Sequence, residues 1–130
     1  MTARARLTII LALSSIPVFA GAAEERVTFS VDGLTVVGTL NLPNGVDNPP
    51  AILLLHGFPE LAYSWRKVMP ALADAGYYVI APDQRGYGRT TGWQAGFDDD
   101  LRPFRFLNLV RDAIGLIHVL GRRSVAASGK

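Results

Sequence analysis

The 130-residue sequence is long enough for about one small domain. Its residues are 49% hydrophobic and 18% charged, a composition typical of a protein that folds around a core. The formal net charge of +2, with Lys and Arg scattered along the chain, argues against a nucleic-acid-binding surface. The absence of cysteine excludes disulfides, zinc–thiolate sites and a cysteine nucleophile. The acidic run at 98–100 is interpreted as a solvated loop or helix start, so we expect no metal and no cofactor.

The N-terminus has the pattern of a secretory signal peptide. Arg4 and Arg6 precede an apolar stretch over 7–19, and the small residues at 20–22 form an A-x-A-like cleavage site. Because this stretch is shorter than the ~20 residues that span a bilayer, we expect no stable membrane span. The sequence thus predicts a signal peptide over 1–22, a mature domain over 23–130, and export to the periplasm or exterior. An uncleaved anchor or a buried first helix is the alternative.

An antiparallel hairpin opens the predicted domain. Apolar residues alternate with polar ones on both sides of the turn-forming pair Asp32–Gly33, which tolerates positive φ. The alternating residues are Val27, Phe29 and Val31 before the turn, and Leu34, Val36, Gly38, Leu40 and Leu42 after it. The apolar run 51–55 lacks alternation, which favours a central strand buried on both faces.

A helix follows, with Trp65, Val68, Met69, Leu72 and Ala73 at helical spacing. We expect Ser64 to cap it, Gly76 to end it, and Pro70 to kink it or separate a first turn. A buried strand is predicted over 77–81. A last helix over about 104–120 is predicted to bury the stripe Leu107, Val110, Ile114 and Ile117. The predicted fold class is α/β, an N-terminal hairpin followed by a parallel βαβ unit.

Two segments carry a family resemblance. His56-Gly57-Phe58-Pro59 follows the first buried strand, and the loop after the second contains Asp83, Arg85, Gly86 and Gly88. Both resemble motifs of the α/β-hydrolase superfamily, at the expected positions, and they are most similar to its epoxide-hydrolase-like branch. The resemblance covers roughly 27–127. It implies a partial α/β-hydrolase fold, and a small-molecule substrate in the intact parent enzyme.

The resemblance also implies a role for each residue of the first motif. The backbone N–H of Phe58 would be an oxyanion-hole donor, because a loop at the carboxyl end of a central strand can aim an amide into the site. Gly57 would allow the sharp turn, and Pro59 would fix its exit through a cis Phe58–Pro59 bond. His56 would order the loop and not serve as the catalytic base.

Other candidate residues receive structural interpretations. Asp83 and Arg85 are expected to hold the second loop by hydrogen bonds, while Gly86 and Gly88 supply its tight backbone. The side chains of Trp65 and Phe58 could line a substrate pocket, but the helical spacing of Trp65 favours the core. His118 is expected at the surface or the rim of a site.

A nucleophile would follow the next strand in this superfamily, on a G-x-S-x-G or G-x-D-x-G turn. We expect that strand to begin near Ser124, and Ser128 lacks the setting of a nucleophile. We therefore expect the chain to stop before the nucleophile, acid and base, to be inactive as written, and to aggregate through an open edge on the strand 51–55. The lineage is interpreted as hydrolysis through a covalent ester intermediate. A serine ester hydrolase on the same fold, or a non-catalytic secreted fragment, remains an alternative.

Overall fold

The computed structural model describes residues 7–8, 24–92, 96–121 and 125–129. They form one six-stranded sheet, in the order β1-β2-β3-β5-β4-β6, with helices on both faces. In chain order the elements are β1 (Leu7–Thr8), β2 (Glu24–Val31), β3 (Leu34–Asn41), β4 (Ala51–Leu55), a 3₁₀ turn (Ala62–Trp65), α1 (Met69–Asp74), β5 (Tyr78–Pro82), a second 3₁₀ turn (Arg102–Phe104), α2 (Phe106–Leu120) and β6 (Val125–Gly129).

The predicted hairpin is confirmed as β2 and β3, which pair antiparallel along their full length. Asp32 and Gly33 both have positive φ, 46° and 80°, as a two-residue hairpin turn requires. Side chains of one alternating set are buried and those of the other are more exposed, so one face of the hairpin joins the core.

The parallel βαβ unit is also confirmed, because β4 and β5 pair in parallel. β3 pairs antiparallel with β5, which places the hairpin beside β5 in the sheet. The expectation that β4 has an open edge is wrong. β6 pairs in parallel with β4 from Ala51 to Leu55. The pairing uses backbone hydrogen bonds, so the small residues of β6 can form it as well as larger ones. β4 is therefore an interior strand.

Two hydrophobic clusters lie on opposite faces of the sheet. One contains the inward residues of the hairpin together with Leu53, Ile80 and Leu116 of α2. The other contains Leu54, Val79 and the residues of the first 3₁₀ turn and α1. Neighbouring residues of β4 thus point into different clusters, which explains why this strand is apolar without alternation.

The face of α2 that packs on the sheet differs in part from the prediction: Ile117 packs against the core, as expected. Leu107 and Ile114 are exposed, whereas Asp112 and Leu116 are buried. The expected stripe followed the larger aliphatic residues, but the helix docks through Gly115, where an added Cβ would lie only 2.3 Å from a methyl of Val31. The close approach of the helix to β2 therefore decides which face is buried.

The helix before β5 starts later than predicted. Pro70 lies in the first turn of α1, and the 3₁₀ turn at Ala62–Trp65 is separate from that helix. Of the two expectations for Pro70, a kink or a separate first turn, the second is therefore confirmed. Ser64 lies inside that 3₁₀ turn and does not cap α1, because Val68 occupies the cap position. Gly76 ends the helix with φ 95°.

Little of the predicted signal peptide falls within the described residues. Leu7 and Thr8 pair with Phe29 and Thr28 of β2, and the rest of 1–22 lies outside the description. Within the described ranges, no helix has the length and apolarity that crossing a membrane demands.

Candidate active site

A tight turn begins directly after β4, at the carboxyl edge of the parallel strands. The N–H of Glu60 donates to the carbonyl of Gly57 at 2.8 Å, which closes a four-residue turn. The Phe58–Pro59 bond within it is cis, as expected from the resemblance, and cis proline at the third position defines a type VI turn. The Phe58 side chain is 85% exposed, so the backbone rather than the ring anchors this residue.

His56 is buried, and both of its ring nitrogens are occupied. Nε2 accepts a hydrogen bond from the backbone N–H of Gln84 at 2.9 Å, and Nδ1 lies 3.1 Å from the carbonyl oxygen of Gly57. Because Nε2 accepts, the proton belongs on Nδ1, which donates to Gly57. The Tyr87 ring and the imidazole pack in a T-shaped arrangement, with centroids 5.0 Å apart. The ring is thus a bridge between two loops and has no free nitrogen with which to act as a base.

The N–H of Phe58 is directed away from the turn. In a planar trans peptide the N–H points opposite to the preceding carbonyl, and the Gly57 carbonyl is held inside the turn by His56 and Glu60. Across the described part of the chain, no group accepts a hydrogen bond from this N–H. A donor fixed in this way at the carboxyl end of a central strand can stabilise negative charge on an oxygen.

Asp83 follows β5 and ties its loop to the neighbouring turn. One carboxylate oxygen accepts from the N–H of Ala62 at 3.0 Å, and the other accepts from the N–H and Nε of Arg89 at 3.2 and 3.0 Å. Burial opposes ionisation, but the hydrogen bonds from Ala62 and Arg89 outweigh it and hold the pKa of Asp83 below its usual value. Gly88 makes room for this carboxylate, since a Cβ there would lie 2.6 Å from it.

Arg85 joins the same loop to α2. Its Nε and Nη2 donate to the two carboxylate oxygens of Asp112, both at 2.9 Å, and both side chains are mostly buried. The hydrogen bonds to Asp112 raise the pKa of Arg85 against the opposing effect of burial. Gly86 has a φ of 75°, and a Cβ added to it would lie 2.4 Å from the ring of Phe104. Asp83 and Arg85 therefore fix the loop after β5 by hydrogen bonds to Ala62, Arg89 and Asp112.

The remaining residues predicted for the site lie elsewhere. Trp65 is 8% exposed and packs in the α1 cluster, so its core interpretation fits the structure. His118 is exposed on α2, and Ser128 belongs to β6, opposite Leu54, with its side chain outside the description. Among the residues that the structure describes, no three His, Cys, Asp or Glu side chains are grouped as a metal site requires.

Two residues that matter to this geometry were not predicted. Gln84 lies between Asp83 and Arg85, and it bonds to both the ring and the carbonyl of His56. Asp112 pairs with Arg85 from an otherwise apolar helix face. Its signal in the sequence is a carboxylate within a buried helical stripe, which needs a cationic partner.

Comparison with known proteins agrees with the fold. The profile of a family described as alpha/beta hydrolase fold matches residues 50–120. Epoxide hydrolase A of Mycobacterium tuberculosis is 48% identical over 77 residues, which are 59% of this chain and 22% of that protein.

Solved structures show the same relationship. The crystal structure of epoxide hydrolase A from Mycobacterium thermoresistibile superimposes with a TM-score of 0.70 and 36% identity, covering 82% of this chain and 31% of that one. Epoxide hydrolase VrEH1 from Vigna radiata gives 0.69 and 36%, covering 82% and 30%. The chain thus spans between a fifth and a third of the length of these relatives. With the two motifs, the sheet order and these matches together, the chain belongs to the α/β-hydrolase family and is epoxide-hydrolase-like.

Proposed function

We propose that this chain supplies an oxyanion-hole donor, the N–H of Phe58, to an active site that hydrolyses epoxides through a covalent ester. In such a reaction a carboxylate opens the epoxide ring and forms an ester, and water then attacks that ester. The attack places negative charge on the former carbonyl oxygen, which a fixed N–H stabilises. The proposal depends on the geometry of the Gly57–Phe58 peptide. Hydrogen bonds from His56 and Glu60 hold its carbonyl, and no described residue accepts a hydrogen bond from its N–H.

The choice of epoxides as the substrate class rests on the relatives. Several proteins named epoxide hydrolases align with this chain, three of them with at least 44% identity over 77 to 80 residues. The proposed substrate is accordingly a small molecule, and no nucleic-acid partner is proposed, in keeping with the net charge of +2.

The 130-residue chain alone is not expected to turn over substrate. The sequence contains two histidines, and His56 has both ring nitrogens engaged while His118 is exposed on α2. Neither is placed to activate water beside Phe58. Removal of triad members lowers rates by about 10⁴-fold or more, so an assay of the purified chain with styrene oxide and aryl esters should give the background rate. Turnover above background would contradict this part of the proposal.

A chimera tests the donor itself. Residues 50–120 of this chain replace the corresponding segment of epoxide hydrolase A from Mycobacterium tuberculosis, and hydrolysis of styrene oxide is measured. We expect the chimera to be active and Phe58→Pro, which removes the N–H, to lower kcat by about 100-fold or more. Phe58→Ala is the matched comparison, because it keeps the N–H and removes only the side chain, which is exposed in this chain.

Comparison of Phe58→Pro with Phe58→Ala in the chimera distinguishes loss of the N–H from loss of the side chain. Equal kcat values for Phe58→Pro and Phe58→Ala, with both variants folded by circular dichroism, would rule out the N–H as the donor. Replacing the Gly57–Phe58 amide by an ester through semisynthesis deletes the same N–H without adding a ring. This second variant should therefore show the same loss.

The identity of the nucleophile needs a different observation. An aspartate on the elbow supports epoxide hydrolysis, and a serine supports the ester hydrolase alternative. Sequencing the surrounding gene region would identify the residue on such an elbow. We propose aspartate, because the relatives above carry the name epoxide hydrolase.

Export is proposed on the N-terminal pattern of Arg4, Arg6 and the apolar stretch 7–19. Cleavage near Ala23 would remove Leu7 and Thr8 from the edge of β2. Expression of the full chain in a Gram-negative host, fractionation and intact-mass measurement should find the processed chain in the periplasm. Leu11→Arg, which interrupts the apolar stretch, should leave the precursor unprocessed. An unprocessed chain in the cytoplasm without that substitution would contradict the proposal.

A further inference from the structure

Gln84 contacts His56 at two points. Its backbone N–H donates to Nε2 of the ring at 2.9 Å, and its side-chain amide donates to the backbone carbonyl of His56. The two bonds approach from the loop after β5, 28 positions along the chain from the turn after β4. One residue therefore holds both the ring and the main chain of His56.

The ring passes this constraint to the next peptide. Because the Gln84 N–H occupies Nε2, the imidazole carries its proton on Nδ1 and donates it to the carbonyl of Gly57. That carbonyl also accepts from the N–H of Glu60. The Gly57–Phe58 bond is trans, so fixing its carbonyl fixes the direction of the Phe58 N–H.

Two successive peptide planes flank Gly57, and each is held by a hydrogen bond to its carbonyl. The Gln84 side chain holds the His56–Gly57 plane, and the His56 ring with Glu60 holds the Gly57–Phe58 plane. Glycine itself offers little resistance to rotation, because it populates both signs of φ. External hydrogen bonds must therefore set the orientation here.

We propose that Gln84 is a positioning residue, whose side-chain amide keeps the N–H of Phe58 aimed at the anionic oxygen through His56 and Gly57. The inference rests on the proposed function of that N–H. Gln84 does not touch the reacting atoms in this scheme. It acts by preventing the Gly57 peptides from sampling other orientations, which preorganises the donor before charge develops.

The first test uses the full 130-residue chain labelled with ¹⁵N and needs no activity. Gln84→Met removes the amide donor at similar size, and Gln84→Glu places an acceptor against the His56 carbonyl. We expect the Phe58 amide cross-peak to broaden or split in both variants, while the Leu53 amide in β4 is unchanged. Asn108→Leu is the matched control, because it deletes a side-chain amide that bonds the carbonyls of Arg102 and Pro103, away from His56.

The second test measures kcat and KM in the chimera. Loss of one oxyanion donor costs about 10² to 10³ in kcat, so partial misalignment by Gln84→Met should lower kcat by about tenfold with KM unchanged. Asn108→Leu should leave kcat unchanged. An active chimera whose kcat is insensitive to both Gln84 variants overturns the positioning role alone. A single sharp Phe58 signal in the 130-residue chain, together with a folded chimera that has no activity, overturns the proposed function and this inference with it.

Discussion

Replacement of Asp83 by asparagine tests how the loop after β5 is held. The carboxylate is 3% exposed and accepts three hydrogen bonds, one from Ala62 and two from Arg89. In Asp83→Asn one oxygen can still accept from Ala62, but the amide NH₂ faces the two donors of Arg89. Each hydrogen bond to a charged group contributes roughly 1.5 to 3 kcal/mol, and the Arg89 side chain is exposed enough to regain water. We expect the free energy of unfolding to fall by about 3 kcal/mol.

The assay is urea unfolding of the full chain followed by far-ultraviolet circular dichroism at constant ionic strength. Asp100→Asn is the control, since it neutralises a carboxylate whose ion pair with Arg102 is exposed to solvent, and it should not move the midpoint. Equal midpoints for the wild type and Asp83→Asn would refute the reasoning. A changed slope in Asp83→Asn would indicate that the variant alters more of the fold than this contact.

The difference in free energy of unfolding between the wild type and Asp83→Asn should depend on pH. The pKa of Asp83 is lowered in the folded chain, because its hydrogen bonds outweigh the opposing effect of burial. Its stabilisation is therefore complete above the unfolded pKa of about 3.9 and is lost as the pH falls through the lower folded value. The stability difference between the wild type and Asp83→Asn should be constant from about pH 5 to 7 and shrink below about pH 4. A difference that widens on acidification would contradict the assigned direction.

Three further changes test other parts of the fold by the same unfolding assay. A double-mutant cycle of Arg85→Ala and Asp112→Ala should give a coupling free energy of about 2 kcal/mol, since the pair is bidentate and mostly buried, and zero coupling would show an independent role. Leu53→Ala should cost about 3 kcal/mol, because Leu53 is fully buried and leaves a cavity. Gly115→Ala should cost about 1 kcal/mol from its clash with Val31, and adding Val31→Ala should remove that penalty.

Local patterns sufficed where a few neighbouring residues dictate the backbone. The turn at Asp32–Gly33 needs positive φ at two positions, and the run 51–55 has no polar face, so hairpin and buried strand followed from the sequence. The turn after β4 was identified from its residues alone. Its cis Phe58–Pro59 bond agrees with the resemblance that those residues carry.

Of the predictions that failed, one concerned neighbouring residues and the others depended on distant parts of the chain. Ser64 was expected to cap α1, but the 3₁₀ turn takes it away from that position. The stripe of α2 was placed on Leu107, Val110, Ile114 and Ile117. Ile117 packs against the core, but Leu107 and Ile114 are exposed, and Asp112 and Leu116 are buried instead. Hydropathy alone ranks aliphatic side chains and does not weigh a glycine contact or an ion pair to another loop.

The sequence by itself determined the strand and helix types, the hairpin, and the family motif that contains Phe58. These properties depend on side-chain period and on backbone preferences of adjacent residues, which are present in the linear order. Only the tertiary structure decided that β6 lies beside β4, that Arg85 pairs with Asp112, and that Gln84 reaches His56. Each of these contacts joins residues more than 25 positions apart, and such pairings are selected by the packing of the whole sheet rather than by local preference.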